Sequence, residues 1–506
     1  MPIRQTNRSK TRHQQSGEND WPMRVPEPVT NRLQSRRLMS RPAMPNCLSI
    51  NSLPTFSLLV CGLLFVGLSG CARSRVARED IKTARQAFAI GDLESARSKL
   101  EPLATEAGPF QAPAALDLAM VELASGDAAA AERRLRTLRD RFDGQPKIAL
   151  TTEAASLMTD DTRRMFRPAG YETVMIRAML AVCSLAGDQI DAESYSLQAT
   201  NRQAELAREA EERGLLAATK VYQPIAMPPY LRGLLREATH QNYDDAQRAY
   251  QLVRLARPQF APAEADIARA VNGTHSRAGH GVLYLIACVG RGPVLEETNA
   301  PTTSESLSIA SAILNANANK TDNNGQEEGG LAIPNIATVK VPQIALPTDS
   351  IAAIGVVVEG KLRGATQTLT DVAELAGLQL QAEQPWTIAR AVVRRATKEA
   401  AVAKASDALG LEGNAGSLVH FAAASAWSGI ERADTRCWGM LPREVQVFRI
   451  ELPIGTHQLG LLPLSNLGQP TALGQQMSIE IFDGANTYLI AVAPDQVVHV
   501  VNPQIK

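Results

Sequence analysis

The feature of this sequence that most narrows its possible folds is an internal repeat with a period of 35 residues. Five positions of the first copy recur in the second with that one displacement: Ala84, Gly91, Ala96, Leu100 and Leu103 return as Ala119, Gly126, Ala131, Leu135 and Leu138. In each copy a Gly-Asp pair separates two stretches whose apolar residues follow helical spacing. One helix pair cannot bury its own apolar face, so the repeat predicts a stack of helix hairpins.

Weaker copies of the pattern follow the first two. Gly187-Asp188 is expected to repeat the turn ahead of Ala192, and Gln241-Asn242 is expected to turn the chain ahead of Ala246. The period and the turn resemble the tetratricopeptide repeat, whose length is about 34 residues. The resemblance implies an all-α, TPR-like array with irregular later copies, which we place at residues 77–272.

Beyond residue 280 the pattern changes and strands are expected. The apolar run at 282–289 predicts a buried strand, because it is continuous and ends at a glycine. Further strands are predicted at 337–341, 353–359 and 361–369. The last two of these are expected to join as a hairpin at Gly360. We place an α+β region at residues 282–430.

Two other stretches of this region carry separate predictions. Pro385 is expected to open a helix at 386–409, because proline is favoured in the first turn of a helix. Residues 297–331 are interpreted as a flexible linker, because Asn, Ser, Thr and Gly dominate them.

The C-terminal part alternates between apolar and polar residues, which is typical of half-buried strands. Strands are predicted at 445–452, 459–462, 477–482 and 488–492, with a turn at 453–457. Asp483-Gly484 is expected to form a hairpin turn between the last two. We therefore place a small antiparallel β-domain at residues 434–506.

An apolar stretch near the N-terminus predicts export. Residues 53–68 carry no charge, and their length suits the apolar core of a signal peptide (about 7–15 residues) better than a membrane span (about 20). Leu68, Ser69, Gly70 and Cys71 resemble the lipobox of bacterial lipoprotein precursors. The resemblance implies that residues 1–70 are a leader and that Cys71 carries the lipid. An uncleaved anchor with an incidental cysteine is the alternative.

The charge balance argues against nucleic acid as a partner. Of 52 basic and 52 acidic residues, nine and three lie within residues 1–46, so the part beyond the leader carries 43 and 49 and is six charges negative. Binding nucleic acid requires a basic face. We expect contact with a membrane through the lipid, and with an envelope protein.

The sequence contains no Gly-rich phosphate loop, no G-x-S-x-G, no H-E-x-x-H and no C-x-x-C motif. No acidic residue or cysteine stands near His275 and His280 at a sequence spacing typical of metal ligands. We therefore expect both to be loop histidines and not part of a metal site. Cys183, Cys288 and Cys437 allow at most one disulfide, and buried thiols are expected. We therefore expect no enzymatic activity, no cofactor and no metal.

Asp434, Arg436 and Trp438 alternate along the chain and would share one side of an extended segment. One interpretation is a recognition patch, in which the indole stacks on a glycan or peptide and the guanidinium binds a carboxylate. The other, which we favour, is a salt-bridged edge with Trp438 packed against the helix at 386–409.

A helical-repeat array usually presents a concave groove lined by the first helix of each unit. The residues expected to line it here are Arg85, Phe88, Asp117, Met120, Val121, Arg177 and Arg236. Their mixed character favours a protein partner held by apolar anchors and a few ion pairs.

Several segments together resemble an uncharacterised family of tetratricopeptide-repeat lipoproteins of Gram-negative bacteria. They are Tyr171-Glu172, Gly187-Asp188, the Gly-Arg-Gly-Pro at 290–293, Ile388 to Arg390 with Arg394 and Lys398, the Asp-Thr-Arg-Cys-Trp at 434–438, Leu441-Pro442 and the Pro-Ile-Gly at 453–455. The similarity covers roughly residues 80–500, and the sequence departs from it in the Asn-rich 311–325 and the long leader. The resemblance implies a place in the cell envelope and an architecture, but no chemistry.

These features favour a lipid-anchored protein of the cell envelope that acts as a protein–protein interaction scaffold. It would face the periplasm, with the outer membrane preferred because Ala72 is not an acidic residue. The alternative is a protein that binds cell-wall glycan, or an enzyme that acts on envelope polymers.

Overall fold

The computed structural model describes residues 74–146, 165–212, 222, 224–321, 338–408 and 432–501. The predicted leader at 1–70 and the predicted lipid-bearing Cys71 lie outside the described residues. Within the described ranges the chain forms eleven helices and eleven strands, and the strands make sheets of five, four and two members.

Nine helices come first along the chain. They are α1 (74–89), α2 (Leu93–Thr105), α3 (Gln111–Ala124), α4 (Ala128–Asp143), α5 (Gly170–Ala186), α6 (Ala192–Glu212), α7 (Met227–Glu237), α8 (Tyr243–Ala256) and α9 (Pro262–Val271). Helices α1 to α8 form four hairpins, and α9 packs against α8. The coarse prediction of a helical region followed by an α+β part is confirmed.

The first two hairpins turn in the same way. Gly91 and Gly126 have φ of 85° and 88°, in the left-handed region that glycine enters without strain. The aspartate that follows caps the next helix: Asp92 and Asp127 each accept the main-chain N–H three residues on, at 3.0 Å and 2.9 Å. The predicted turns at these two glycines are confirmed.

The third and fourth hairpins turn differently. Gly187 has φ of −105°, and the left-handed residue of that turn is Gln189 at 67°. In the fourth hairpin the left-handed residue is His240 at 58°. The chain turns where the weaker repeats predicted, but without the Gly-Asp geometry of the first two.

The remaining elements are mainly strands. In chain order they are β1 (His280–Arg291), β2 (Val294–Pro301), α10 (Ser304–Thr321), β3 (Thr338–Ala345), β4 (Ala353–Val358), β5 (Lys361–Ala365), β6 (Gln367–Asp371), α11 (Val372–Ala408), β7 (Pro442–Pro453), β8 (Gly455–Leu464), β9 (Gln475–Ile481), β10 (Asn486–Ala493) and β11 (His499–Val501). The five-stranded sheet has the order β11-β10-β1-β7-β6, the four-stranded sheet has the order β5-β4-β8-β9, and β2 pairs with β3.

Strand β1 lies between two hydrophobic cores. Tyr284 and Ile286 belong to the core that the sheet shares with the helical array. Leu283 and Leu285 belong to the core that it shares with the four-stranded sheet. A strand buried on both faces needs a continuous apolar run, so the prediction of a buried strand at 282–289 is confirmed. Array, five-stranded sheet and four-stranded sheet therefore form three successive layers.

The division into an α+β region at 282–430 and a separate β-domain at 434–506 needs correction. Strand β1 pairs in parallel with β10 and in antiparallel with β7, and β4 pairs with β8. Both ranges thus contribute to the same two sheets, and one of these sheets is mixed. Local alternation predicts a strand but carries no information about its partner, which is why the sequence suggested two units.

The interpretation of 297–331 as a flexible linker is wrong for its described part, which contains most of β2 and helix α10. Thr303 and Ser306 cap that helix reciprocally, each hydroxyl accepting the other residue's main-chain N–H. Ile313 and Leu314 are buried in a third core with α11. The polar composition concealed these apolar positions. Residues 322–331 lie outside the described residues.

Helix α11 begins at Val372, so the prediction that Pro385 opens a helix is wrong. Asp371 starts the helix instead, because its Oδ1 accepts the N–H of Glu374 at 2.9 Å. A proline inside a helix removes one main-chain hydrogen bond. Here Val372 and Val392, on either side of Pro385, are both fully buried and hold the helix against two different cores.

Asp483-Gly484 forms a turn but not the predicted hairpin. The strand before it, β9, pairs with β8, whereas the strand after it, β10, pairs with β1 and β11. The turn therefore carries the chain from the four-stranded sheet to the five-stranded one. Gly484 has φ of 65°, which suits the glycine whichever strands the turn connects.

Candidate functional site

Among the described residues, the inner face of the helical array is covered. Residues 112–124 of α3 are all buried, as are residues 174–186 of α5. Phe88, Met120 and Val121, which were expected to line a groove, are 4%, 1% and 0% exposed. The predicted open groove is therefore wrong, because the five-stranded sheet and one irregular stretch of chain occupy it.

That stretch comprises residues 433–441, which we call the clamped segment. It has no regular secondary structure and leads directly into β7. Most of it is buried, including the side chains of Cys437, Trp438 and Met440. It crosses residues of the first three hairpins.

Three charged side chains, each on the first helix of a different hairpin, bind the main chain of the clamped segment. Glu172 on α5 accepts the N–H of Trp438 at 2.7 Å. Asp117 on α3 accepts the N–H of Met440 at 2.9 Å. Arg85 on α1 donates from Nη2 to the carbonyl oxygen of residue 437 at 2.9 Å. The segment is thus recognised through its backbone as well as through its side chains.

Arg85 and Asp117 also form a salt bridge, with Nε and Oδ2 2.8 Å apart. Burial disfavours the charge of the guanidinium, but the carboxylate of Asp117 outweighs that effect and holds the pKa of Arg85 above its ordinary value. At Asp117 burial outweighs the opposing effect of Arg85 and raises the pKa of the carboxyl. The guanidinium of Arg85 therefore stays charged while each partner also binds the segment.

Glu172 has no such cation beside it at hydrogen-bond distance among the described residues. Burial raises the pKa of its carboxyl to about 7, although the N–H groups of Trp438 and Ala169 favour the charged form. The second of these bonds, from Ala169 to Oε2, measures 2.8 Å. Glu172 is therefore a buried acid that titrates near neutral pH.

Of the predicted recognition patch, Arg436 and Trp438 are buried and Asp434 is half-buried. Arg436 forms two hydrogen bonds with Asp434, at 2.8 Å and 2.6 Å, and donates a third to the carbonyl of Pro109 at 3.0 Å. Its guanidinium also lies over the ring of Phe166, 5.7 Å from the centroid. The alternative interpretation of a salt-bridged edge is thus the one that the structure supports.

Trp438 does not pack where that interpretation placed it. The indole is fully buried in the core of the array and the five-stranded sheet. Residues 388–396 of α11 belong to a separate core, so the predicted contact with the helix at 386–409 is wrong. The indole Nε1 has no hydrogen-bond partner among the described residues.

The other two arginines expected in the groove connect helices of the array. Arg177 on α5 binds both carboxylate oxygens of Asp143, at 2.6 Å and 2.7 Å. Arg236 on α7 donates to Glu193 at 2.6 Å. Each pair joins one hairpin to the next, so these charges link neighbouring hairpins of the array.

A second polar cluster lies where the fourth hairpin meets the sheets. We call it the junction and define it by Glu237, His240, Arg269, His275 and Arg449. Glu237 is fully buried and accepts hydrogen bonds from Tyr250 at 2.6 Å and from Arg269 at 2.9 Å. Arg449 on β7 donates to the main-chain oxygen of His275 at 2.7 Å.

Two histidines of the junction link the array to the turn before β10. His240 Nε2 lies 2.6 Å from the oxygen of Gly484, and His275 Nε2 lies 2.7 Å from Asn486 Oδ1. Their ring centroids are 4.7 Å apart. Burial lowers the pKa of His275. His275 was expected to be a loop histidine and lies in a loop, whereas His280, expected to be one too, is the first residue of β1. Nothing in the sequence indicated the pairing of His275 with His240.

Cys183, Cys288 and Cys437 are buried free thiols, as predicted. Burial raises the pKa of Cys437 to about 11 and of Cys288 to about 12. A thiol that stays protonated at neutral pH is a poor nucleophile. Neither therefore has the environment of a reactive cysteine.

Sequence reasoning placed Asp117 in an open groove and assigned no binding role to Glu172 or Glu237. Asp117 lies within an apolar helix, and Glu172 and Glu237 end up fully or almost fully buried. A carboxylate inside an otherwise apolar helix needs a partner, because burying an unpaired charge is costly. That rule would have marked Asp117, but not what it binds.

Comparisons with protein families, with curated proteins and with solved structures found no match to this chain. Of the helices that the structure describes, none has both the length and the apolar character needed to cross a membrane. In the same part of the chain, no group of three or more His, Cys, Asp or Glu residues is arranged to hold a metal ion.

Proposed function

We propose that this protein is a lipid-anchored scaffold of the cell envelope, facing the periplasm, whose TPR-like array binds polypeptide. The lipobox-like Leu68 to Cys71 supports the anchor. The common turn geometry of the first two hairpins, at a displacement of 35 residues, supports the assignment to TPR-like repeats. The array's partners are proteins, and it carries out no reaction.

One observation carries the binding role: three successive hairpins each supply one charged residue to the main chain of one segment. The hydrogen bonds of Glu172, Asp117 and Arg85 go to main-chain N–H and C=O groups, which are present in every peptide. Recognition of this kind is general for backbone and gains its specificity from side-chain pockets. Here Trp438 fills such a pocket, so the clamped segment is the resident peptide of the array.

A partner polypeptide must then compete with the chain's own segment. The resident segment has the advantage of being covalently attached, which gives it a high effective concentration. A partner succeeds where it supplies an aromatic anchor and N–H groups at the spacing of residues 438 and 440. Binding to the array would therefore be regulated by how firmly the resident segment is held.

The test uses a synthetic peptide with the sequence of residues 432–441, added to full-length protein. The variant Trp438→Ala weakens the resident segment and should bind the peptide saturably, as measured by fluorescence anisotropy. Wild type and the variant Trp386→Ala, which changes a tryptophan in another core, should bind it weakly or not at all. A peptide with alanine at the tryptophan position serves as the control.

The outcomes separate clearly. If Trp438→Ala retains the circular dichroism of wild type but does not bind the peptide, the array is not a peptide-binding module. The anchor is tested independently by labelling cells with palmitate. Cys71→Ser should lose the label that wild type carries, and a labelled Cys71→Ser protein would refute lipidation at this site.

A further inference from the structure

The start of helix α1 combines basic and apolar residues directly after the proposed lipid site. Residues 71–78 contain three arginines, at 73, 75 and 78, and no acidic residue. Arg75 is exposed, and Val76 beside it is 61% exposed. A large apolar side chain next to cations is the composition of segments that lie at a membrane surface.

Arg75 and Arg78 make few contacts with the described part of the chain. Arg75 forms no ion pair or hydrogen bond with any described side chain, and Arg78 donates only to the main-chain oxygen of Ser74, at 3.3 Å. Cations at this end of a helix are opposed by its dipole. By contrast, Asp80 on the next turn pairs with Lys99 at 3.0 Å. Arg75 and Arg78 therefore remain available to an anionic partner outside the chain.

From these observations we propose that the first turn of α1 docks on the anionic phospholipid surface that holds the anchor. The proposal rests on lipidation of Cys71. Three residues of chain span at most about 11 Å, so a lipid on Cys71 keeps Ser74 within that distance of the headgroups. Electrostatic attraction at physiological ionic strength extends over about 8 Å. A tether this short lets Arg75 and Arg78 come within the field of the lipid headgroups and lets Val76 reach the interface.

Docking would give the anchored protein a fixed orientation. Helix α1 ends at residue 89, and Ile90 lies about 21 Å beyond Val76 along the helix axis at 1.5 Å per residue. Ile90 is 74% exposed and follows the helix directly. It is therefore a suitable control for Val76: an exposed apolar residue at the end of the helix that faces away from the membrane. A docked protein keeps Val76 at the bilayer and Ile90 in water.

The experiment places an environment-sensitive fluorophore on lipidated protein in vesicles. Val76→Cys and Ile90→Cys are labelled selectively, because Cys183, Cys288 and Cys437 are buried. The vesicles contain either phosphatidylcholine alone or added phosphatidylglycerol, together with a nitroxide lipid that quenches nearby dyes. In the anionic vesicles the label at Val76 should be quenched at least about twofold more than the label at Ile90. Raising the ionic strength to about 1 M, where the Debye length is about 3 Å, should remove the difference.

A second set of variants tests the role of the arginines by reversing their charge. Arg75→Glu with Arg78→Glu should abolish the excess quenching at Val76. Lys361→Glu with Arg363→Glu changes the net charge equally on the exposed strand β5 and should leave it intact. If mass spectrometry finds the lipid but Val76 and Ile90 are quenched alike, docking is refuted and the anchor stands. If it finds no lipid on Cys71, the anchor itself fails, and docking fails with it.

Discussion

The helical array meets the sheets in two different ways. At the clamped segment, Glu172 and Asp117 bind main-chain N–H groups of an irregular stretch. At the junction, the described partners of Glu237 are side chains: Tyr250 and Arg269 within the array donate hydrogen bonds to it, and Arg449 on β7 forms an ion pair with it at 3.8 Å. A contact made to backbone tolerates a change in the sequence of the bound segment, whereas a network of side chains depends on every member. The first contact is suited to exchange of its occupant, and the second fixes the fold.

The largest difference should come from the side chain that anchors the clamped segment. We expect Trp438→Ala to lower the free energy of unfolding by about 3–5 kcal/mol, because a fully buried indole leaves a large cavity. Trp438→Phe should cost much less, since the indole N–H has no partner to lose. Trp386→Ala, at a partly buried position, is the control. Urea denaturation of the three variants measures these values, and equal losses for the alanine and phenylalanine variants would contradict the anchor role.

The same substitution at the two contacts sharpens the comparison. Glu237→Gln should cost about 3–5 kcal/mol, because it leaves the buried charge of Arg269 with less compensation. Glu172→Gln should cost about 1–3 kcal/mol, because an amide can still accept one of the two N–H bonds. Denaturant midpoints for both variants give the comparison. A larger cost at Glu172 would mean that the clamped segment, and not the junction, fixes the fold.

Packing of the hairpins should be alike beneath both contacts. Ala131 in the second hairpin and Ala246 in the fourth are fully buried. We expect leucine at either position to overpack a close helix contact and to lower the thermal midpoint, with a cost of about 1–3 kcal/mol. Ala129→Leu, at an exposed position on the same helix as Ala131, should change stability little. If only the second hairpin responded, the fourth would not be packed as a repeat.

The two contacts should respond to pH with opposite signs. The folded pKa of Glu172, about 7, lies above its ordinary value of 4.5, so the folded state binds more protons between these values. Its contribution to stability is therefore present at low pH and is lost as the pH rises towards 7.

His275 behaves in the reverse sense, because its folded pKa lies below the ordinary value of 6.5. Its neutral form contributes stability above that value, and the contribution is lost as the pH falls through its folded pKa. Glu237 opposes this shift, whereas His240 and Arg449 reinforce it. Amide exchange as a function of pH should find slower opening at residues 438–440 and faster opening at 484–486 on acidification. Glu172→Gln and His275→Gln should each flatten one response, and parallel responses in wild type would contradict the assignment.

The two contacts also differ from the features of the fold that could be predicted from the sequence. Local features were predictable: the turns at Gly91 and Gly126, the buried strand at 282–289 and the hairpin at Gly360 are all present. They depend on neighbouring residues, whose spacing the sequence displays directly.

Contacts between distant segments were not predictable in this way. Met440 lies 323 residues from Asp117, and no periodicity connects them. One overlooked signal did exist: α3 and α5 carry apolar residues on every side and only two charged residues each, which indicates helices that are covered on every face. That signal would have ruled out the open groove, but it would not have identified the clamped segment as part of what fills it.

Hydrogen exchange at the clamped segment tests the central claim most directly. The account predicts that the amides of Trp438 and Met440 exchange as slowly as those at the centre of β1, because Glu172 and Asp117 bind them in a buried site. Native-state exchange followed by mass spectrometry, with fragments short enough to isolate residues 437–441, measures this. If those amides exchanged at the rate of an unstructured peptide while β1 remained protected, the segment would not be held by the array, and the account would be wrong.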